Sequence, residues 1–477
     1  MAGWMRRRAD HHESGQIIAI VAVAFIVLLM FLAVLFDGGS ALVRRRQLQD
    51  AGDAAALAAA NVIHVGTPRG CSGTVDGAVP RASVDLAARD SLAANLSWFD
   101  PLDAVITCAT GYGDWAVSVE IDTQAPRFFS GLMGGPLQVH SRSVAVNGQI
   151  SGTNYAILEL DPHNPSWPNG RRGCPSLLLS GGPTVTLEGS VQINSACPAS
   201  SGGGLATNGN ASKLTLLGSA KLRVVGGYSP AALTITPAPV TGVAPTKDPL
   251  AGLPPIDIAS LPVRSSSKLT LNNQLLVLQP GVYQGGIQLK NSSTALLQPG
   301  IYVMRGGGFD VGAQASVYSV RTGVLITTPL TWGVDCPTGS CGVLIFNAKG
   351  ATTAMGPVTI GAGATLKLRA YNPTAQAGGV SDYDNLLLWQ DALPLPSASY
   401  EQPEVALSGG GSVDISGTVY APSARVAMGG GAGGSGGSTN LTLQFISWDL
   451  EFRGNSSFTF YFRDEDFARP TSYGLVE

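Results

Sequence analysis

Charged side chains are scarce in this 477-residue chain, at 13% of residues, and the formal net charge at pH 7 is -3. No run of three or more lysines or arginines follows residue 46, so the chain lacks the basic surface that nucleic acid requires. Histidine is also rare. His11 and His12 precede a long apolar run, and His64, His140 and His163 are scattered without forming a triad. We therefore expect neither nucleic-acid binding nor enzymatic activity.

Glycine and proline, by contrast, are abundant, with 61 and 30 residues. This balance is typical of many short strands joined by turns, and it predicts a mainly β structure. The chain is also too long for one ordinary hydrophobic core, so we expect two or three folded units.

Six cysteines fall into three couples that are close in the sequence: Cys71 with Cys108, Cys174 with Cys197, and Cys336 with Cys341. The even number and the spacing favour disulfides, and hence an oxidising compartment. The alternative is that they are buried thiols, because free cysteine packs as a small apolar residue. No CxxC motif or Cys/His cluster is present, so we expect no zinc, other metal or cofactor.

Residues 17–36 are twenty consecutive apolar residues, which as a helix match the thickness of a bilayer core. A signal peptide is the alternative, but its apolar region is shorter and no small-residue cleavage motif follows here. Arginines at 6–8 and 44–46 balance each other across the span, so they do not decide its orientation. Because all the cysteines follow the span, we expect a single-pass protein with residues 1–16 in the cytoplasm and the bulk outside it.

Helix-forming residues without proline continue to residue 62, which predicts one rod over residues 17–62. This segment resembles the N-terminal segment of TadE/TadG-like proteins of bacterial Flp pilus assembly. The matching positions are Gly15, Gln16, Asp37, Arg46, Gln47, Leu48, Gln49 and Asp53. The resemblance implies association with the cell envelope and with pilus or secretion machinery. Ile20 stands where a pilin would carry glutamate, so we expect the chain to remain uncut after Gly15.

A small α+β unit is predicted over residues 63–150. Apolar residues at helical spacing predict an amphipathic helix over residues 80–98. Alternating stretches at 103–109, 114–122 and 136–148 predict strands, and residues 125–134 predict a short helix between the last two.

Residues 151–477 carry an internal repeat. The pentapeptides QPGVY at 279–283 and QPGIY at 298–302 are nineteen residues apart, which predicts one copy per turn of a β solenoid. A right-handed parallel β-helix is the first interpretation, and a β-sandwich or jelly roll is the alternative. Two blocks are predicted, at 151–236 and 264–477. The proline-rich segment between them, at 237–263, should be neither helix nor strand. It is either an extended segment that lies across the outside or a link between the two blocks. A glycine-rich stretch at 429–437 predicts a flexible loop.

Carboxylates form only weak clusters. Asp382 and Asp384 flank Tyr383, residues 464–466 are acidic, and Asp414, Ser416 and Thr418 imitate a metal-binding triplet without the helix it requires. We interpret all three as solvated turns or strand alternation. The predicted function is structural, with the bilayer and pilus machinery as partners. The alternatives are a surface adhesin or carbohydrate-binding module, with surface glycans as partners, and a polysaccharide-active enzyme.

Overall fold

The computed structural model describes residues 14–63, 70–73, 77–110, 115–125, 137–149, 155–162, 174–323, 332–337, 339–375, 379–392, 403–408, 412–429, 439–463, 466–468 and 471–476. The chain separates into two compact units. The first comprises residues 1–150 together with 472–477, and the second comprises residues 151–471.

Two helices and four strands build the first unit. Their bounds are α1 Ser14–Asn61, α2 Ala82–Asn95, β1 Val105–Cys108, β2 Ala116–Ala125, β3 Leu137–Gln149 and β30 Thr471–Leu475. The predicted rod is α1, which is unbroken from the apolar run to Asn61. The predicted helix at 125–134 and the predicted loop at 429–437 lie almost entirely outside the described residues.

The four strands form one sheet in the order β1, β2, β3, β30, with β2 antiparallel to both β1 and β3. Both helices bury their apolar residues in the core over this sheet, α1 through a row of alanines and α2 through Val84, Ala88 and Leu92. The spacing of these three residues, at every fourth position, is the helical period that places side chains on one face. The first unit is therefore a helical layer on a four-stranded sheet.

The C-terminal strand β30 lies beside β3, where the backbone N–H of Val476 donates to the carbonyl of Val144 at 2.9 Å. The sequence prediction placed these residues in the last β block, 264–477. The second unit is thus an insertion between β3 and β30. Nothing local distinguishes TSYGL from the other short strands, because strand partners are set by long-range contacts.

The second unit consists mainly of short strands. They are β4 Tyr155–Glu159, β5 Leu177–Ser180, β6 Thr184–Glu188, β7 Ser190–Ile193, β8 Leu205–Asn208, β9 Ser212–Leu217, β10 Leu222–Val224, β11 Leu233–Thr236, β12 Val240–Thr241, β13 Val263–Ser265, β14 Leu269–Asn272, β15 Leu275–Leu278, β16 Gly281–Gln284, β17 Ile287–Lys290, β18 Thr294–Leu297, β19 Gly300–Arg305, β20 Phe309–Val311, β21 Ser316–Ser319, β22 Val343–Ala348, β23 Val358–Ile360, β24 Thr365–Arg369, β25 Leu386–Gln390, β26 Val405–Ser408, β27 Val413–Gly429, β28 Thr439–Arg453 and β29 Ser457–Phe460. One short helix, α3 Trp332–Asp335, lies between β21 and β22.

Over β13–β24 each strand pairs in parallel with the strand three positions later, so that three consecutive strands make one layer. The first layers are eighteen to twenty-two residues long, since Leu269 pairs with Ile287 and Ile287 with Phe309. The later layers are longer, since Gly300 pairs with Val343, forty-three residues further on, and Phe309 with Val358, forty-nine residues further on. All pairings between the described strands of this unit are parallel, whereas the predicted alternative, a jelly roll, requires antiparallel pairs. Alternate residues of the strands enter one continuous apolar core.

The two QPG pentapeptides lie in neighbouring layers, on β16 and β19. In each copy the tyrosine hydroxyl donates to the carbonyl of the glutamine four residues earlier, from Tyr283 to Gln279 at 2.7 Å and from Tyr302 to Gln298 at 2.8 Å. The tyrosine rings stack, with centroids 6.1 Å apart. The strand register, however, joins Val282 to Val303, two residues more than the repeat spacing.

The order of the layers differs from the order of the strands in the chain. The late strand β28 pairs with the early strands β4 and β5, and β29 pairs with β6. The first block therefore continues the array beyond the end of the second block. Layer β13–β15 forms one end of the array, and strands β11 and β12 lie at the other.

Residues 242–262, here named the strap, connect these two ends. An extended chain of this length reaches up to about 70 Å, more than the roughly 48 Å spanned by eleven strands. The strap buries Leu250 and Ile256 in an apolar cluster supplied by β4, β16, β19, β22, β25, β27 and β28. The proline-rich segment 237–263 was expected to contain neither helix nor strand, yet β12 and the one-turn 3-10 helix Ile258–Ser260 fall inside it, and β13 begins at its last residue. Val240 and Thr241 are not prolines themselves and pair with β10 at an edge of the array, which tolerates nearby proline.

Candidate functional site

The family-like segment forms the outer part of α1, and one face of it is buried in the first unit. Its buried residues are Leu48, Ala51, Ala55, Ala56, Ala59 and Ala60. Alanine has a high helix propensity and a small side chain, so this row both favours the helix and lets the sheet approach it closely. Helix α1 is therefore a core element of the first unit.

A polar network joins the same helix to β3. The Gln49 Nε2 donates to Asp53 Oδ1 at 2.8 Å, and the Ser143 hydroxyl donates to the same Oδ1 at 2.6 Å. The Ser141 hydroxyl donates to Gln49 Oε1 at 3.0 Å, and Asn147 Nδ2 donates to the carbonyl of Ala60 at 2.8 Å. Two motif positions, Gln49 and Asp53, thus fix the register of α1 against the sheet.

Replacing Asp53 with alanine should lower the free energy of unfolding of the first unit by about 1–3 kcal/mol, because Gln49 and Ser143 both lose their shared acceptor. Asp50→Ala is the matched control, since Asp50 is exposed on the same helix. Thermal unfolding of the detergent-solubilised chain measures both. Equal unfolding temperatures for the two variants would show that the network contributes no stability.

The remaining motif positions occupy different environments. Gly15 and Gln16 lie in the first turn of α1. Asp37 is buried and its carbonyl accepts a hydrogen bond from the Ser40 hydroxyl at 2.8 Å, whereas Arg46 and Gln47 are exposed. The structure therefore brings Leu48, Gln49 and Asp53 together where α1 packs on the sheet, but it does not bring the whole motif together.

All six cysteines are paired, as the sequence predicted: Cys71 with Cys108, Cys174 with Cys197, and Cys336 with Cys341. The first pair lies in the helix-and-sheet unit and joins the loop before α2 to the end of β1. Closing a 37-residue loop removes entropy from the unfolded chain, which suits a unit with a small core.

The titratable residues singled out in the sequence do not converge. His140 Nδ1 lies 2.9 Å from Asp122 Oδ1 on exposed positions of β3 and β2; His11, His12, His64 and His163 lie outside the described residues, as do Asp464 and Glu465. Within the described ranges no group of three His, Cys, Asp or Glu side chains is arranged to hold a metal.

The Asp414 triplet lies within β27. Asp414 Oδ1 is 2.7 Å from Arg369 Nη1, and the buried Thr418 hydroxyl donates to Gln444 Oε1 at 3.0 Å. Asp382 belongs to a short 3-10 turn, and the Tyr383 hydroxyl donates to the carbonyls of Pro254 and Pro255 in the strap at 3.1 and 3.2 Å. The contacts of Asp414 and Thr418 therefore join neighbouring strands, and those of Tyr383 hold the strap.

A polar cavity of about 500 Å³ opens beside Arg369 and Asp414. Its lining also contains Tyr461, Arg463 and Asp466, so two guanidinium and two carboxylate groups face it. The ion pair between Arg369 and Asp414 places one charge of each sign at its edge.

The second unit also contains a buried cluster of carboxylates that the sequence did not predict. Glu159, at the end of β4, is fully buried, and among the described residues neither carboxylate oxygen has a hydrogen-bonding partner. Burial raises the pKa of Glu159 well above its usual range, and the negative charges of Asp449 and Asp161 raise it further; Ser176 and Arg425 offset only part of this. The alternation in ILELDP could have suggested a buried glutamate, but not its neighbours on β27 and β28.

Helix α1 contains a segment that is similar to known proteins. No curated protein and no solved structure matches the chain. A family model does match residues 15–62, the same residues that form the apolar run and the helix docked on β3. Residues 15–62 therefore match the TadE/G-like Flp pilus-assembly family, as the sequence resemblance predicted.

Proposed function

We propose that this chain is a membrane-anchored structural protein of the cell envelope that works with Flp/Tad-type pilus machinery. One observation carries the proposal: α1 passes without a break from an apolar run into the core of the first unit, over the residues that match the pilus-assembly family. By length and composition α1 can cross a membrane, and described side chains of the run such as Ile20 and Phe31 are about two-thirds exposed. A rigid anchor of this kind would transmit position or force between the bilayer and the folded part.

The proposed topology is a single pass with the N-terminus in the cytoplasm and both units outside. All three disulfides follow the apolar run, and disulfides persist in oxidising compartments. Arginines 44–46 directly after the run do not favour this orientation by charge, so the cysteine pairing is the argument for it.

The proposed form of the second unit is a right-handed parallel β-helix acting as a rigid body without enzymatic activity. The strand-to-third-strand pairing in parallel and the continuous apolar core support a solenoid. Parallel strand connections are right-handed in nearly all proteins, which favours that hand. Nothing in the structure or the comparisons supports surface glycans as the partner.

Topology can be tested in spheroplasts of the native host. Protease added from outside should degrade residues 37–477 and leave a protected fragment of about the anchor's size, and a thiol reagent should find no free cysteine until a reductant is added. Protection of the whole chain, or free thiols without reductant, would contradict the proposed orientation.

Association with the pilus machinery can be tested by co-purification from crosslinked membranes. We expect the full chain to retain the inner-membrane proteins of a Flp/Tad system, and a chain lacking residues 1–36 to lose them. Recovery of the full chain from the soluble fraction, with no such partners, would contradict the proposal.

A further inference from the structure

A groove of about 410 Å³ lies between α1 and the start of β3 in the first unit. Ala41, Leu42 and Val139 give it an apolar part, and Arg45, Gln138 and His140 give it a polar part. The hydrogen bonds of Gln49 and Asp53 to β3 do not involve the groove, and the family resemblance assigns it no role. A groove with one apolar and one cationic side suits an amphipathic ligand.

The groove lies at the end of the first unit nearest the apolar run. Strand β3 follows α1 in the same direction, because Ser141 contacts Gln49 and Asn147 contacts Ala60 further along. Gly38 and Ala41, which line the groove, are two and five residues beyond the run, about 3 and 8 Å along a helix. The headgroup layer of each leaflet is roughly 5–8 Å thick, so the part of the groove nearest the run would open at the headgroups.

Two further features indicate that this level of the unit meets the bilayer surface. The apolar side chains of Leu42 and Val43 remain 65% and 58% exposed although the twenty-residue run has ended. The indole of Trp98 lies here as well, with the Arg44 guanidinium carbon 3.1 Å from its ring centroid. Tryptophan and arginine are the residues enriched where proteins meet lipid headgroups.

We propose that this groove binds the headgroup of an anionic phospholipid. Because a helical side chain leans towards the helix N-terminus, the Arg45 guanidinium would reach back to hold the phosphate, and Ala41 and Leu42 would contact the glycerol end of the lipid. His140 is already engaged with Asp122 at 2.9 Å, so Arg45 supplies the positive charge. Charge-assisted hydrogen bonds between arginine and phosphate are among the strongest polar contacts. Such a lipid would fix the height of the first unit above the membrane.

The test compares two single substitutions that remove the same charge. Both arginines are exposed, but Arg45 lines the groove and Arg46 is not part of its lining. Native mass spectrometry of the full chain in detergent, titrated with phosphatidylglycerol or phosphatidylcholine, measures lipid retention. We expect phosphatidylglycerol to be preferred, Arg45→Gln to weaken its binding about tenfold, and Arg46→Gln to leave it unchanged.

A third variant, Arg45→Lys, keeps the positive charge and should retain most of the phosphatidylglycerol binding. Thermal unfolding of Arg45→Gln must match the unsubstituted chain, so that a loss of binding is not a loss of fold. Equal binding of both lipids, or equal effects of the Arg45→Gln and Arg46→Gln substitutions, would overturn the lipid site.

The inference rests on the proposed membrane anchor, but the two fail differently. A chain found only in the soluble fraction contradicts both, while a membrane-embedded chain with no lipid preference contradicts the groove alone.

Discussion

Replacing Leu250 with aspartate should release the strap from the second unit, at a cost of about 3–5 kcal/mol. Leu250 is 2% exposed and packs in the apolar cluster shared with Ile256 and the strands beneath. Removing a buried leucine costs about 2–5 kcal/mol, and a carboxylate in its place must lose its hydration or leave the site.

The polar contacts of the strap would not compensate. The Tyr420 hydroxyl donates to Asp248 Oδ2 at 2.7 Å, and burial already raises the pKa of Asp248. A second carboxylate two residues away adds like charge to this site. We therefore expect the strap to detach locally, since its hydrogen bonds to Asn194, through Thr246, and to Tyr383, through Pro254, lie four residues to either side of Leu250.

Hydrogen-exchange mass spectrometry of the full chain would measure this release. Peptides covering residues 242–262 should exchange at least about tenfold faster in Leu250→Asp, while peptides from β16 and β19 keep most of their protection. Ala251→Asp is the matched control, because Ala251 is exposed. Equal exchange in both variants would show that the strap is not held by its apolar contacts.

The sequence predicted the local elements well because their signals are local. Residues 17–62 combine an apolar run with strong helix formers, and the helix ends at Asn61. The QPG copies predicted neighbouring layers because each repeats the same turn and the same tyrosine contact to a glutamine carbonyl.

Long-range order was not predictable from those signals. The pairing of β28 with β4 joins residues almost three hundred positions apart, and many short alternating strands could compete for the same partner. Because β28 pairs with β4, the first block stacks beyond the end of the second block. The strap, which connects the two blocks, must therefore run along the array from one end to the other. The pairing of β30 with β3 is also a long-range contact and was not predictable for the same reason.

The candidate site was likewise predictable only where its signals are local in the sequence. The family motif identified Gln49 and Asp53, but only the position of β3 shows that they hold the anchor helix on the sheet. The groove at Arg45 and the carboxylates around Glu159 combine residues from separate elements. No spacing rule in the sequence connects such residues.

Replacing Glu159 with glutamine should stabilise the second unit at pH 8 by about 2 kcal/mol and have little effect near pH 4. The ordinary pKa of glutamate is about 4.3, and the folded chain raises it. Folding therefore favours the protonated form, so stability is greatest below the unfolded pKa and falls as the pH rises towards the folded pKa. Glutamine has the same shape without this titration.

The expected gain in stability is large because burial and two neighbouring carboxylates all disfavour the ionised form of Glu159. Its carboxylate is fully buried, and Asp449 and Asp161 add negative charge. Arg425 offsets this only in part, because its guanidinium nitrogens also form ion pairs with Asp449 Oδ2 at 3.4 Å and Glu451 Oε2 at 3.3 Å. A tenfold change in a protonation equilibrium corresponds to about 1.4 kcal/mol, and full burial of a carboxyl group commonly produces a larger change. An amide can also donate to the neighbouring carboxylates.

Urea unfolding of the full chain between pH 4 and pH 8 separates this effect from a general change in charge. Glu188→Gln is the control, because Glu188 is a partly exposed glutamate on β6 that loses the same charge. The Glu159→Gln and unsubstituted curves should coincide near pH 4 and diverge as the pH rises, whereas Glu188→Gln should follow the unsubstituted chain. A Glu159→Gln variant less stable at every pH would mean that the carboxylate is ionised and paired, and that the buried cluster holds the strands together through its charge.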